Sequence, residues 1–302
     1  MNVAFSAAPL GEIAALGTAC CWVVTALAFA QAGKRVGSLS VNLIRLCMAL
    51  PMLGMWTLLS EGSFFPAEAS SGVWFWLSIS GLVGFVVGDM CLFRAFVLLG
   101  PRLSSLIMAT APLMTALIGY LVLREGLGLT SMLGMGLTIG GVIWAVLDRK
   151  ATNTSAAGSL VPGVLLALGG AAGQALGLVL SKHGMGDYDP FAATQIRVIA
   201  GLGGWILIFF VTHRWRYLVA ALRDVLAMRA IALGALFGPF MGVSLSLLAV
   251  QHTHTGVAAS IMSITPILLV PLSVLFFHEK VGIGGVLGTF VAVGGVVVLF
   301  LQ

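Results

Sequence analysis

From residue 11 onward the apolar residues come in runs of about twenty, broken by short stretches that hold most of the charges. In a helix rising roughly 1.5 Å per residue, such a run crosses a hydrocarbon layer ~30 Å thick. The pattern predicts ten spans, at 11–31, 39–60, 73–99, 101–123 and 130–147, then 161–181, 190–211, 230–250, 255–277 and 281–301. A membrane β-barrel would alternate in shorter segments. The stretch HRWRYLVAALRDVLAMRA, 213–230, is too charged to span and reads as a short interfacial helix.

The runs repeat. At an offset of 154, ATAPLMTALIGYLVLREGLG (109–128) lies over SITPILLVPLSVLFFHEKVG (263–282), matching Pro112 with Pro266, Glu125 with Glu279 and Gly128 with Gly282. Gly84, Gly88, Gly134, Gly140 and Gly141 likewise meet Gly238, Gly242, Gly288, Gly294 and Gly295. At 152, Arg45 in NLIRL lies over Arg197 in TQIRV. The chain therefore reads as two units, 1–150 and 151–302, of five spans each. An odd number of spans makes the second unit enter the membrane from the opposite side, giving an inverted repeat, the arrangement that suits alternating access to one midplane site.

Composition strengthens the membrane reading. Of 302 residues, 60% are apolar and 8% charged, with a mean hydropathy of +1.11, which excludes an ordinary soluble domain. No Lys or Arg precedes the first apolar run, so the N-terminus is expected to lead straight into the first helix rather than into a cleavable signal. Loops after the odd-numbered spans, with their flanks, hold twelve of the Lys and Arg residues and the other face three, which predicts both termini outside the cytoplasm. Cys20, Cys21, Cys47 and Cys91 fall inside spans without metal-ligand spacing and read as small packing residues. His252 and His254 read as loop or cap residues. There is no phosphate loop, H-E-x-x-H or G-x-S-x-G, so neither direct ATP coupling nor hydrolysis is expected, and neither is a cofactor, metal or nucleic acid.

Residues 111–147 (APLMTALIGYLVLREGLGLTSMLGMGLTIGGVIWAVL) and their second copy, 265–301, carry an early Pro, a closing Glu and then a Gly-rich helix. In this the chain resembles the drug/metabolite transporter superfamily, in particular its EamA-type ten-helix bacterial members. The resemblance implies an all-α membrane protein with ten transmembrane helices as two inverted five-helix repeats around a central cavity. It also implies a non-enzymatic inner-membrane exporter of small metabolites, foremost amino acids or similar amphipathic compounds. Carriage of phosphorylated or other anionic metabolites is the alternative, and a non-transport scaffold or receptor a further one. Expected partners are a small-molecule substrate and membrane lipid.

Candidate site residues follow from what is costly in lipid. Asp89 is the one acid near the middle of a span, on a stripe with Phe85, Phe93 and Phe96. It is a candidate for receiving an ammonium group, for proton coupling, or for a structural pair with a cation. Arg94 stands roughly 140° around the same helix, so it reads as a snorkelling residue or a cavity-facing cation. Trp22 and Gln174 are equivalent and near-central, and both need polar partners. Arg45 and Arg197 lie towards the ends of their spans, where helix-end carbonyls or headgroups are the simpler partners; deep in a cavity they would favour the anionic alternative. Asn42 and Gln195 are weaker candidates. Pro112, Pro266 and Pro271 are expected to bend their spans, and the Gly-x-x-x-Gly pairs to allow close helix contact.

Overall fold

The computed structural model describes residues 8–118, 129–152, 157–253, 258, 261–277 and 281–300. Glu125, Glu279 and His254 lie outside the described residues. The helices are α1 (Ala8–Val36), α2 (Ser38–Glu61), α3 (Ser71–Leu99), α4 (Pro101–Met108), α5 (Ala111–Ile118), α6 (Leu129–Thr152), α7 (Ala157–Met185), α8 (Pro190–Thr212), α9 (Trp215–Leu222), α10 (Val225–His252), α11 (Thr265–Phe277) and α12 (Ile283–Phe300). Six of them, α1, α2, α3, α7, α8 and α10, are long and apolar enough to cross a membrane. Apolar stretches of α6, α11 and α12 are shorter.

Two of the predicted elements are redrawn. Residues 213–230 are not one interfacial helix: α9 ends at Leu222, and Asp224 caps a new helix by accepting from the amide of Ala227. The span predicted at 230–250 thus starts at Val225. The predicted span 101–123 is broken: α4 stops at Met108, Ala109 and Thr110 form a turn, and α5 resumes with Pro112 in its first turn. The second unit breaks in the same place, with Ser263 and Ile264 turning before Thr265 and Pro266 open α11. Proline lacks an N–H to donate and is tolerated in a first turn, so both prolines sit where a helix restarts.

The repeat is visible in the packing. α3 carries a π-helical turn at Leu82–Gly88 and α10 carries one at Leu236–Gly242, the same positions at the offset of 154. α3 crosses α7 where Gly84 meets Gly177 and Gly88 meets Gly173; a Cβ on Gly173 would lie 2.5 Å from the Gly88 Cα. α10 crosses α1 at the equivalent residues, Gly238 on Thr25 and Gly242 on Cys21 and Trp22. α6 and α12 meet by a contact that maps onto itself when the units are exchanged. Gly141 lies on Gly288 and Ala292, and Gly295 lies on Gly134 and Thr138. Small residues let backbones approach without cavities, and that closeness substitutes for the missing hydrophobic drive between helices in lipid. Gly37 (φ 81°) and Gly100 (φ 85°) each join two helices through a single left-handed residue, a conformation that a Cβ would strain.

Candidate functional site

α2 and α8 begin at equivalent residues, Ser38 and Pro190, and Arg45 and Arg197 stand seven positions into them, about 10 Å along the axis. Neither reaches a headgroup: Arg45 is 4% exposed and Arg197 3%. The expectation that they serve helix ends or the interface is therefore corrected. Glycines bring α8 against α3, where Gly81 lies on the Arg197 carbonyl and Gly201 on Phe85, and α2 packs on α3 as well.

Arg45 donates from Nη2 to Asp89 Oδ2 in a buried ion pair, and from Nε to the Asn42 side-chain oxygen at 3.1 Å. Asn42 in turn donates to the Ser38 carbonyl (3.1 Å) and the Asp89 carbonyl (3.4 Å). The other carboxylate oxygen of Asp89, Oδ1, accepts from the Gln174 amide at 3.1 Å. Asp89, 2% exposed, is thus joined to α2 of its own unit and to α7 of the other. Of the roles weighed for it in the sequence, ammonium receptor, proton coupler or structural partner of a cation, the structure shows the pairing, with Arg45, and adds Gln174 on the other oxygen. An unpaired ion at the centre of a membrane helix costs about 2.5–3.5 kcal/mol on insertion scales, and pairing offsets part of such a cost for each partner.

Aromatic rings wall the cluster. The Arg45 guanidinium lies 4.6 Å from the Phe93 ring centroid, 5.5 Å from Phe85 and 5.7 Å from Phe29. Arg197 lies 4.9 Å from the same Phe85 ring, so the two repeat-related cations share one aromatic residue. Phe85 is fixed from behind, since its carbonyl, within the π-helical turn, accepts from the Trp205 indole at 2.7 Å. The Arg197 side chain occupies a notch between the glycines: Cβ atoms on Gly84 and Gly177 would lie 3.2 and 3.5 Å from its Nη2. Its Nε has no hydrogen-bond partner, and among the described residues no carboxylate is within ion-pair distance.

The remaining candidates separate. Trp22 is half-buried against Gly242, on the equivalent crossing in the other unit. Arg94 is exposed, unlike the buried residues of the cluster. Gln195 serves structure, accepting from Thr57 and donating to the Phe64 carbonyl at 2.8 Å, which ties down the turn after α2. Phe29 and Trp205 went unnoticed in the sequence, where an aromatic in an apolar run carries no signal of its own. A separate groove of about 400 Å³ between α2, α8 and α9 is lined by Leu43, Ile44, Cys47, Ile206, Trp215 and Leu218; it is apolar and distinct from the charged cluster.

Comparison with known proteins bears on the family and on the fold. The sequence pattern of the EamA-like transporter family matches residues 9–147 and again 161–301. A solved structure described as "Crystal structure of protein" is similar over 95% of each chain, at 18% identity and a TM-score of 0.64, a likeness of fold. No curated protein matches the sequence.

Proposed function

The chain belongs to the EamA-like transporter family, and from that premise we propose that it is a secondary transporter of the inner membrane. It exports small amphipathic metabolites, amino acids foremost, by alternating access between its two inverted units. The observation that carries this reading is the ionic cluster Arg45–Asp89–Gln174, which joins both units across the glycine crossing of α3 and α7. A polar knot at a crossing where backbones touch gives two discrete arrangements, made or broken, rather than a continuum. Phe29, Phe85 and Phe93 supply an apolar wall for a substrate body, with Trp22 on the opposite crossing.

Proton coupling fits the same cluster. With the cluster made, Asp89 is the counter-ion of Arg45, so proton exchange belongs to the step in which they part. A carrier of phosphorylated metabolites is less well supported, because a dianion would call for both arginines and Arg45 is committed to Asp89. The test is a substrate screen in proteoliposomes with and without a pH gradient. Wild type is expected to move at least one amphipathic metabolite faster under the gradient, and Asp89→Asn to lose that acceleration. Equal acceleration in Asp89→Asn would remove Asp89 from coupling, and no flux of any solute would remove the transport reading.

A further inference from the structure

The two units are alike up to their charges. Arg45 corresponds to Arg197 and Gln174 to Trp22, but Asp89 corresponds to Val243. One guanidinium therefore meets a carboxylate that an amide also holds. Its counterpart has valine and tryptophan in those places. Arg197 is nonetheless as deeply buried as Arg45, with Nε unpartnered and one face on the Phe85 ring. The acid of the cluster, Asp89, already serves Arg45 and Gln174 with its two oxygens. Two guanidiniums against one carboxylate leave one uncompensated positive charge in the part of the molecule where a lone ion is most costly.

We infer that Arg197 binds the carboxylate of a monoanionic organic substrate, whose own charge supplies the counter-ion that Val243 does not. The inference rests on the transporter reading above and narrows it. A planar guanidinium matches a carboxylate's two oxygens, and Phe85, enclosed at 2% exposure while the cluster is made, becomes the apolar neighbour of the rest of the molecule when the cluster parts. An ammonium group finds no free acid in the cluster, so the carboxylate is the required group and an amino group is dispensable.

The test measures thermal unfolding of the purified protein in detergent with three carboxylates (acetate, phenylacetate, indole-3-acetate) and with phenylacetamide and phenethylamine. An aromatic carboxylate is expected to raise Tm, and the amide and the amine are not. Arg197→Gln is expected to weaken carboxylate binding ~10-fold or more, and Arg197→Lys, which keeps the charge, by less. Val243→Asp gives Arg197 an internal acid. It is expected to abolish binding while leaving the unliganded protein at least as stable, a result that loss of folding could not produce. Three results overturn the inference: stabilisation by the amine instead, carboxylate binding unchanged in both Arg197→Gln and Val243→Asp, or no effect of any of the three carboxylates. Flux of the bound probe in proteoliposomes separates the two readings. Binding without flux would overturn transport and leave the site standing, whereas flux of amine and carboxylate alike would overturn the site alone.

Discussion

At the scale of single residues, the ion pair of Arg45 and Asp89 has consequences for stability separate from transport. Removing one partner of a buried pair strands the other charge, at a cost of about 3–5 kcal/mol, whereas replacing both by apolar groups is often close to neutral. Asp89→Leu and Arg45→Met are each expected to lower the Tm in detergent markedly. The double variant Arg45→Met/Asp89→Leu should lose much less than the sum of its parts, because Gln174 and Asn42 are then the only groups left short of a partner. Additive losses in that double-mutant cycle would show that the two charges do not depend on each other. Arg94 is the control: exposed on α3, it should give almost no change in Tm on conversion to Gln.

At the scale of helices, the glycines divide into those that touch another backbone and those that do not, although the sequence repeats members of both kinds, Gly141 with Gly295 and Gly140 with Gly294. A Cβ at Gly173 would lie 2.5 Å from Gly88, and one at Gly141 would lie 2.4 Å from the Ala292 nitrogen, whereas Gly136 and Gly140 have open space. Gly173→Ala and Gly141→Ala are therefore expected to destabilise by about 1–3 kcal/mol through forced separation of the helices. Gly140→Ala should be neutral or slightly stabilising, since alanine is the better helix former. Unfolding curves that ranked Gly140→Ala as the worst of the three would contradict this packing. Much of the packing was legible in the sequence for the same reason: glycine spacing and prolines recur in order, and they report on local needs of the backbone. The meeting of Arg45 with Asp89 was not legible. The pair is 44 positions apart, and their contact depends on the relative rotation of α2 and α3, which the π-helical turn at Leu82–Gly88 alters from regular helical phasing. Their burial was not legible either, because distance from the end of an apolar run says nothing of the neighbouring helices that enclose Arg45 and Arg197. Asp224 escaped notice as a helix cap because arginines surround it in the sequence.

At the scale of the whole molecule, charge is sorted to two ends. Lys34 and Arg35 close α1, and Arg35 pairs with Asp224 at 3.0 Å beside Arg214, Arg216 and Arg223. At the other ends of the helices, Glu61, Glu68, Asp187 and Asp189 gather on the turns after α2 and α7. There the Tyr188 phenol is pushed up to about 12, first by burial and then by Glu61, Asp189 and Glu68. With Arg45 and Arg197 drawn into the interior, the Lys and Arg count for the two faces becomes eleven against two, so the asymmetry survives their removal. The basic end should then face the cytoplasm and both termini the periplasm. In a chain whose four cysteines are replaced by alanine, Arg216→Cys is expected to resist a membrane-impermeant maleimide in intact cells and to react in inside-out vesicles. Glu68→Cys should behave in the opposite way. Both positions are exposed, so labelling reports the side of the membrane rather than burial. Reaction of the two cysteines from the same side would break the two-ended arrangement, and a reversed pattern would invert the orientation while leaving the paired units intact. With the expected pattern, Arg45, Asp89 and Arg197 lie between a basic cytoplasmic end and an acidic outer one. A carboxylate substrate would then be concentrated at the cytoplasmic mouth and repelled from the outer one, a bias in the direction of export.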